Sequence, residues 1–245
     1  MEIVYGPVPS WRLGKSLGID LINSTKKICS FNCSYCQIQN TEYKTKDRKE
    51  FVDIKQMRNE LIKALNKAKP DVITFSGTGE PTLAKNLNQA ISEIKKNTEK
   101  PIAILTNSTL LYRKEVRADL KHLDIIVAKL DVPNPHLFNL INRPVQGIGF
   151  ENTIKGIKEM KKSFDGKFCL QIMFIEKNKD YAKALADITD EINPDEIQIN
   201  TPLRPCKEKP LSLKEMKKIL EKFGRKKSKM LYYSHKKNVD SSKVS

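Results

Sequence analysis

The sequence predicts an α/β fold, a partial (β/α)6 barrel of parallel strands. Three observations predict it. Short apolar, branched runs alternate with amphipathic helical patterns from about residue 52 to residue 223, and strands alternating with helices build βαβ units with right-handed crossovers. Side chains alternate between faces along a strand, and each predicted strand carries one apolar face and one with polar groups. The residues best suited to chemistry fall at the carboxyl ends of those strands, where parallel α/β folds bind ligands.

Taken in order, residues 5–14 hold Gly6, Pro7, Pro9 and Gly14, which predicts a rigid turn-rich stretch outside regular structure. Arg12 and Lys15 within reach of it either anchor a carboxylate or phosphate or are simply solvated. A first strand is predicted over 16–22, followed by a loop over 23–40. A helix over about 52–68 carries Ile54, Met57, Leu61 and Leu65 on one face. Strand 71–75 follows, then helix 83–97, strand 102–106 entered through Pro101, helix 113–122 and strand 125–130. Pro133 and Pro135 break the chain, and a short turn leads to a helix over 150–163. Strand 168–174, helix 179–191, strand 196–200 and helix 212–223 complete the series. The domain division is 1–203 for the barrel and 204–245 for a basic C-terminal helix and tail, either part of the same domain or flexible.

The polar faces are informative. Thr74 and Ser76 oppose Ile73 and Phe75; Lys129 and Asp131 share a face with Val127; Cys169, Gln171 and Met173 oppose Phe168, Leu170 and Ile172; Gln198 and Asn200 oppose Ile197 and Ile199. A filled barrel core consists of branched apolar residues. Polar inner faces point instead to an open lumen holding a polar ligand, unless these groups pair with one another.

The chain's 245 residues suffice for one domain with a sizeable core. No apolar run approaches the ~18 residues of a membrane helix, and the first residues lack the basic and apolar regions of a signal peptide. Five cysteines, an odd count, fit a reducing cytoplasm rather than a disulfide framework. The net charge of +16 is unevenly spread: residues 204–237 hold thirteen Lys and Arg against three Glu, a net +10. That segment suits an anionic partner such as RNA, although a lysine-rich composition alone also produces it.

Cys29, Cys33 and Cys36 lie in Cys29-Ser30-Phe31-Asn32-Cys33-Ser34-Tyr35-Cys36, a C-x3-C-x2-C run. A loop of that spacing wraps one compact object. Clustered thiolates select zinc, copper(I) or an iron–sulfur cluster. Zinc asks for a fourth ligand, and no His or further Cys lies within thirty residues on either side. A cubane cluster on three cysteines keeps one iron open. A structural or redox-active Cys pair is the plainer alternative.

This run, with an aromatic residue before its last Cys, resembles the signature of the radical S-adenosylmethionine (radical SAM) enzymes. Ser76-Gly77-Thr78-Gly79-Glu80-Pro81 is similar to that family's GGEP motif, with Thr78 where Gly is more usual. The opening Tyr5-Gly6-Pro7-Val8-Pro9-Ser10-Trp11-Arg12-Leu13-Gly14 resembles a subfamily that includes the wybutosine-type iron–sulfur oxidoreductases. The resemblance implies a radical SAM barrel, a [4Fe–4S] cluster on Cys29, Cys33 and Cys36, and S-adenosylmethionine chelated at the open iron. It implies that Gly77, Thr78, Gly79 and Glu80 line the methionine ammonium and that Tyr35 lies near the adenine. Asn107, Asp131, Gln171 and Asn200 are placed by strand position as contacts to ribose or carboxylate. Lys129 reaches the methionine carboxylate or an anionic substrate, or else pairs with Asp131. Cys206, just past the sixth predicted strand, is a candidate hydrogen-atom donor or an inert thiol; Cys169 reads as barrel filling. The implied partner is a flavodoxin- or ferredoxin-like electron donor, with no membrane association. Three substrate classes stay open: RNA, with Tyr232, Tyr233 and His235 among the tail lysines; a partner protein receiving a glycyl radical; or a peptide or small molecule.

Overall fold

The strands form where branched and aromatic residues run together. Val72-Ile73-Thr74-Phe75 is buried along its whole length, as a strand covered on both faces must be. The computed structural model describes residues 2–38, 40–224 and 228–230. Its elements in chain order are β1 (Val4–Ser10), β2 (Gly14–Ile19), β3 (Ile28–Cys29), β4 (Tyr43–Lys44), α1 (Ile54–Lys67), β5 (Val72–Phe75), α2 (Leu87–Asn97), β6 (Ile102–Thr106) and α3 (Lys114–Leu120). There follow β7 (Ile125–Lys129), the single turn α4 (Pro135–Leu137), α5 (Phe150–Ser163), β8 (Lys167–Met173), α6 (Ala182–Ile192), β9 (Glu196–Asn200), α7 (Leu213–Leu220) and β10 (Ser228–Met230).

One eight-stranded sheet runs β1-β2-β5-β6-β7-β8-β9-β10. β1 is antiparallel to β2, and every later pair is parallel. The six predicted strands are β2, β5, β6, β7, β8 and β9 in sequential neighbourhood, as expected for a partial barrel. Their outer residues, among them Phe75, Ile104, Ile126, Phe168 and Ile172, merge into one apolar core with Leu61 of α1, Ile91 of α2, Leu120 of α3, Ile157 of α5, Leu185 of α6 and Met216 of α7. Helix starts follow local chemistry. Asp53 caps α1 by accepting from Lys55 N–H, and Ser212 and Glu215 form a reciprocal capping box on α7.

Several expectations need correction. Residues 5–14 are not irregular: Val4–Ser10 is a strand, bulged between Tyr5 and Val8. Gly6 takes φ +97° in the bulge. The prolines are tolerated because β1 is an edge strand, where a missing N–H on the open side loses no ladder bond. The first parallel strand ends at Ile19 rather than residue 22, because Asp20 Oδ1 turns the chain by accepting from Ile22 N–H at 3.0 Å and Asn23 N–H at 2.9 Å. α2 starts at Leu87 rather than 83, after a 3-10 turn at Pro81–Leu83 that Glu80 caps. α6 likewise starts at Ala182, after a 3-10 turn at Lys179–Tyr181. The short turn after Pro135 is α4 running into a π-helical turn at Phe138–Asn142. β10, not foreseen, adds a parallel strand beside β9. Tyr232, Tyr233 and His235 lie outside the described residues, as do 225–227. No helix of the described residues is long and apolar enough to cross a membrane.

Tyr5 packs its ring over Gly18, its cross-strand partner, and its hydroxyl lies 2.7 Å from Ser76 Oγ. A Cβ on Gly18 would stand 2.1 Å from Tyr5 Cζ. Gly18→Ala therefore overpacks the lumen, and chemical denaturation should show a loss of about 1–3 kcal/mol. Unchanged stability would show that Tyr5 is free to swing away.

Candidate active site

The carboxyl ends of the parallel strands share one mouth. Asp20 follows β2, residues 76–81 follow β5, Asn107 follows β6, Asp131 follows β7 and Asn200 ends β9. The cysteine loop is laid across this mouth and fixed from several sides.

The first support is Asp20, 4% exposed. Besides turning its own chain, its Oδ2 accepts from Thr78 N–H at 2.8 Å and Thr78 Oγ1 at 2.7 Å. Thr78 Oγ1 in turn accepts from Ser24 N–H at 3.2 Å. The hydroxyl absent from the more usual glycine thus ties the loop's entrance to β5. Gly77 sits at φ +139°, with no room for a Cβ beside Asp20. At Gly79 the backbone meets β3: Glu80 N–H donates to Ile28 O at 3.2 Å, and a Cβ on Gly79 would lie 2.1 Å from that oxygen.

Glu80 is 2% exposed. Its Oε1 accepts from Thr82 N–H, Thr82 Oγ1 and Thr106 Oγ1, and its Oε2 from Asn107 N–H at 2.7 Å. Burial pushes its carboxyl above the usual range against the pull of these bonds. Asn107, locked by Thr109 N–H and Oγ1, sends Nδ2 to Ser30 Oγ at 2.8 Å and to Cys29 Sγ at 3.4 Å. The π turn closes the far side, where Asn142 O accepts from Asn32 N–H, Ile141 O accepts from Ser34 N–H, and Val145 N–H donates to Ser30 O. Phe31 packs edge-on to Phe138 with centroids 5.3 Å apart.

All five cysteines are free thiols. Burial pushes Cys29 up to about 12, helped by the Glu80 charge, and Cys33 up to about 11, helped by Asp131. Each loop sulfur meets a side-chain nitrogen donor: Cys29 that of Asn107, Cys33 that of Asn142 at 3.6 Å, and Cys36 Lys27 Nζ at 2.9 Å; Cys29 also takes the Phe31 backbone N–H and Cys33 the Tyr35 hydroxyl. Among the described residues no three His, Cys, Asp or Glu side chains converge as they would on a single metal ion. A polynuclear cluster, which takes one thiolate per iron, asks for sulfurs spread around a larger body.

Tyr35, Lys129, Asp131 and Asn142 form a buried knot. Asp131, 3% exposed, accepts from the Tyr35 hydroxyl, from Asn142 Nδ2 at 3.1 Å and from Met173 N–H at 2.8 Å. Lys129 Nζ stands 3.2 Å from Asp131 and 5.0 Å from the Tyr35 ring centre. Burial, then Asp131, holds the Tyr35 phenol well above its ordinary value. A narrow cleft lies against this knot, with Asn107 and Phe138 in its wall.

Gln171 Nε2, Gln198 Oε1 and Asn200 Oδ1 are buried without a partner among the described residues. Such atoms are costly to leave unpaired. Their presence fits a lumen that takes a polar ligand, and with the three thiols the residues present fit a cluster and a nucleoside-bearing cosubstrate. Gln198 Nε2 does pair with Glu196 at 2.9 Å, so part of the polar face is satisfied internally.

Of the residues singled out by sequence, Tyr35, Gly77, Thr78, Gly79, Glu80, Asn107, Lys129 and Asp131 gather around the cysteine loop. Gln171 and Asn200 stand apart on β8 and β9. Cys206 Sγ donates to Glu208 O at 3.2 Å, near the β9 end. Glu208, raised by burial, is drawn down overall by Lys177 and then by Ser34 of the cysteine loop, which sets Glu208 near that loop. Cys169 is buried on β8 beside Glu196, its thiol pushed up to about 12 by burial. Sequence reasoning missed Asp20, Lys27, Thr106 and Asn142. Asp20 was within reach, since it ends its strand as Asp131 ends β7. Asn142 gave no signal, because its place depends on the π turn.

A match to the radical SAM superfamily covers residues 23–188. A UPF0026 protein of Synechocystis sp. is 42% identical over 203 residues, which are 82% of this chain and 76% of that protein. A protein of Brachyspira hyodysenteriae named GTPase Obg is 39% identical over 227 residues, 90% of this chain but 33% of that protein, so the chain spans a third of that relative's length. Among solved structures, TYW1 with a lysine–pyruvate adduct bound is similar with TM-score 0.64 and 14% identity, over 86% of this chain and 74% of that one. Streptococcus suis SuiB bound to S-adenosylmethionine is similar with TM-score 0.65 and 16% identity, over 84% of this chain and 48% of that one. At such identities the two structures speak for the fold alone.

The bonding of Glu80 gives a test. Glutamine keeps one acceptor oxygen but turns an NH2 toward either Asn107 N–H or the threonine donors. Glu80→Gln should lower the stability of the metal-free protein by about 1.5–3 kcal/mol. Unchanged stability in denaturant would mean that Glu80 does not brace the fold.

Proposed function

The chain belongs to the radical SAM superfamily, and from that premise we propose that it abstracts hydrogen from an RNA substrate, with a [4Fe–4S] cluster on Cys29, Cys33 and Cys36. Enzymes of this superfamily use a [4Fe–4S] cluster and S-adenosylmethionine. The observation that carries the residue assignment is the three-thiol loop, braced on one side by residues 77–80 and on the other by the π turn. When bound, the cluster and S-adenosylmethionine supply reductive cleavage of a carbon–sulfur bond, giving methionine and a 5′-deoxyadenosyl radical.

The chain's own residues bind, orient and enclose. Cys29, Cys33 and Cys36 each offer one sulfur, and the absent fourth ligand leaves a position for the methionine amino and carboxylate groups. The backbone of Gly77, Thr78, Gly79 and Glu80 receives the ammonium; the Glu80 carboxylate, committed to Thr82, Thr106 and Asn107, keeps that backbone in shape. Gln171 and Asn200 offer an unpaired donor and acceptor to nucleoside hydroxyls. Lys129 and Asp131 neutralise one another, so a ligand engages either by exchanging for the other. Phe31 and Phe138 keep water from the loop's far side.

RNA is favoured by where the charge lies. Arg204, Lys207, Lys209, Lys214, Lys217, Lys218 and Lys222 are all exposed and follow the end of β9, and two of the three nearby acids, Glu208 and Glu215, are already paired with Lys177 and Lys179.

Anaerobic reconstitution should give about four irons per chain, as a cubane requires. Cys29→Ala, Cys33→Ala or Cys36→Ala should each abolish cluster binding, whereas Cys169→Ala and Cys206→Ala should keep it. Iron loss in either control would make a remote thiol a ligand, and zinc as the sole metal under strict anaerobiosis would remove the reading.

Replacing Lys214, Lys217, Lys218 and Lys222 together by Gln should weaken tRNA binding and flatten its salt dependence. Four phosphate contacts cost about two decades of affinity between roughly 50 and 200 mM salt. Equal binding and equal slope for both forms would point to a protein or small-molecule substrate instead.

A further inference from the structure

Lys27 lies two residues ahead of Cys29 and is only 3% exposed. A buried ammonium is costly unless negative charge compensates it. Its Nζ donates to Cys36 Sγ at 2.9 Å, and its charge is also felt at Cys29. The other two loop sulfurs receive neutral amide donors, Asn107 Nδ2 at 3.4 Å and Asn142 Nδ2 at 3.6 Å. The three sulfurs thus draw side-chain nitrogen donors from three parts of the chain, the loop entrance, the end of β6 and the π turn, beside the neutral Phe31 N–H on Cys29 and Tyr35 hydroxyl on Cys33. The shortest of the three is the only cation.

Hydrogen bonds and charge beside ligand sulfurs are levers on the potential of an iron–sulfur cluster. Thiolate ligation makes Cys36 negative, and each electron taken up makes the assembly more so. A fixed cation in contact with one sulfur therefore stabilises the reduced form more than the oxidised form. A neutral amide at longer range does the same more weakly.

We propose that Lys27 is a positioning residue that raises the reduction potential of the cluster through the Cys36 sulfur, easing its one-electron reduction by the external donor. The inference rests on the assignment of the cluster to Cys29, Cys33 and Cys36. In the step concerned, the donor loses one electron and the cluster gains it; no bond forms or breaks at Lys27, and its protons stay in place. The contact also makes the three thiolates inequivalent, so Asn107 and Asn142 are not expected to substitute for Lys27.

The test compares reconstituted wild type, Lys27→Gln and Lys27→Arg by iron content and by the midpoint potential from an electron paramagnetic resonance (EPR)-monitored titration. Lys27→Gln keeps a donor and removes the charge. Poised at the wild-type midpoint, its reduced-to-oxidised ratio should fall at least tenfold, a shift of about 59 mV to more negative potential for a one-electron couple. Lys27→Arg, which keeps the charge, should restore most of it. Wild-type iron content with an unshifted potential in Lys27→Gln overturns this inference alone. Loss of iron in Lys27→Gln, with iron and potential regained in Lys27→Arg, supports it; loss of iron in both makes Lys27 a scaffold residue and overturns it. A wild-type chain that takes up no iron removes the cluster assignment, and this inference with it.

Discussion

No side chain fits between Gly79 and the strand that carries Cys29. Ile28 O accepts from Glu80 N–H at 3.2 Å, and the space for a Cβ on Gly79 is filled by that same oxygen. This contact welds the cysteine loop to the end of β5, so the loop takes its position from the sheet rather than from its own flexible sequence. Eight residues with three thiols have little intrinsic preference for one shape. The backbone bond to Glu80, the Thr78 bridge to Ser24 and the π-turn bonds to Asn32 and Ser34 give them one. A site on loops gains precision when its supports are rigid.

Three buried carboxylates provide that rigidity, and each does so by being saturated. Asp20, Glu80 and Asp131 are at most 4% exposed. A buried carboxylate is expensive unless donors surround it, and each of these collects at least four, from backbone N–H, hydroxyl, amide or ammonium groups. Asp20 shapes the loop entrance, Glu80 the middle wall, and Asp131 the far wall through Tyr35 and Asn142. They stand at the carboxyl ends of the sheet, where residues turning out of the strands, such as Ile22, Asn23, Thr78 and Asn107, leave N–H groups to be answered. Among the described residues Gln171, Gln198 and Asn200, by contrast, each keep a buried atom without a partner. The carboxylates are thus saturated where they hold the loop, while the β8–β9 face keeps groups that a ligand can complete.

Much of this was legible because it follows from local chemistry. Apolar runs such as Ile102-Ala103-Ile104-Leu105 and the helical face of Met57 and Leu61 announce the βαβ series, and the period-2 rule puts Lys129 and Asp131, or Gln198 and Asn200, on one face. What escaped was non-local. The proline-rich opening becomes a strand because β2 lies alongside it and, among the described residues, no strand pairs with its other side. β10 exists because β9 offers an edge. The π turn depends on Asn134 capping α4, on Arg143 in a left-handed conformation, and on the loop backbone that it meets. Lys27 carries no pattern at all: one lysine among many in the chain, distinguished only by burial against a cysteine sulfur. The carboxylate of Glu80 is equally unreadable from sequence, since its partners Thr106 and Asn107 come from the end of a neighbouring strand.

The central claim is that three cysteine sulfurs hold a cluster with one position left for S-adenosylmethionine. Its most direct test is the EPR spectrum of the reduced, reconstituted protein with and without S-adenosylmethionine carrying nitrogen-15 in its amino group. The account predicts a signal that shifts on addition and carries hyperfine coupling to the labelled nitrogen. A reduced cluster whose spectrum is indifferent to S-adenosylmethionine, with no coupling to the label, would contradict it.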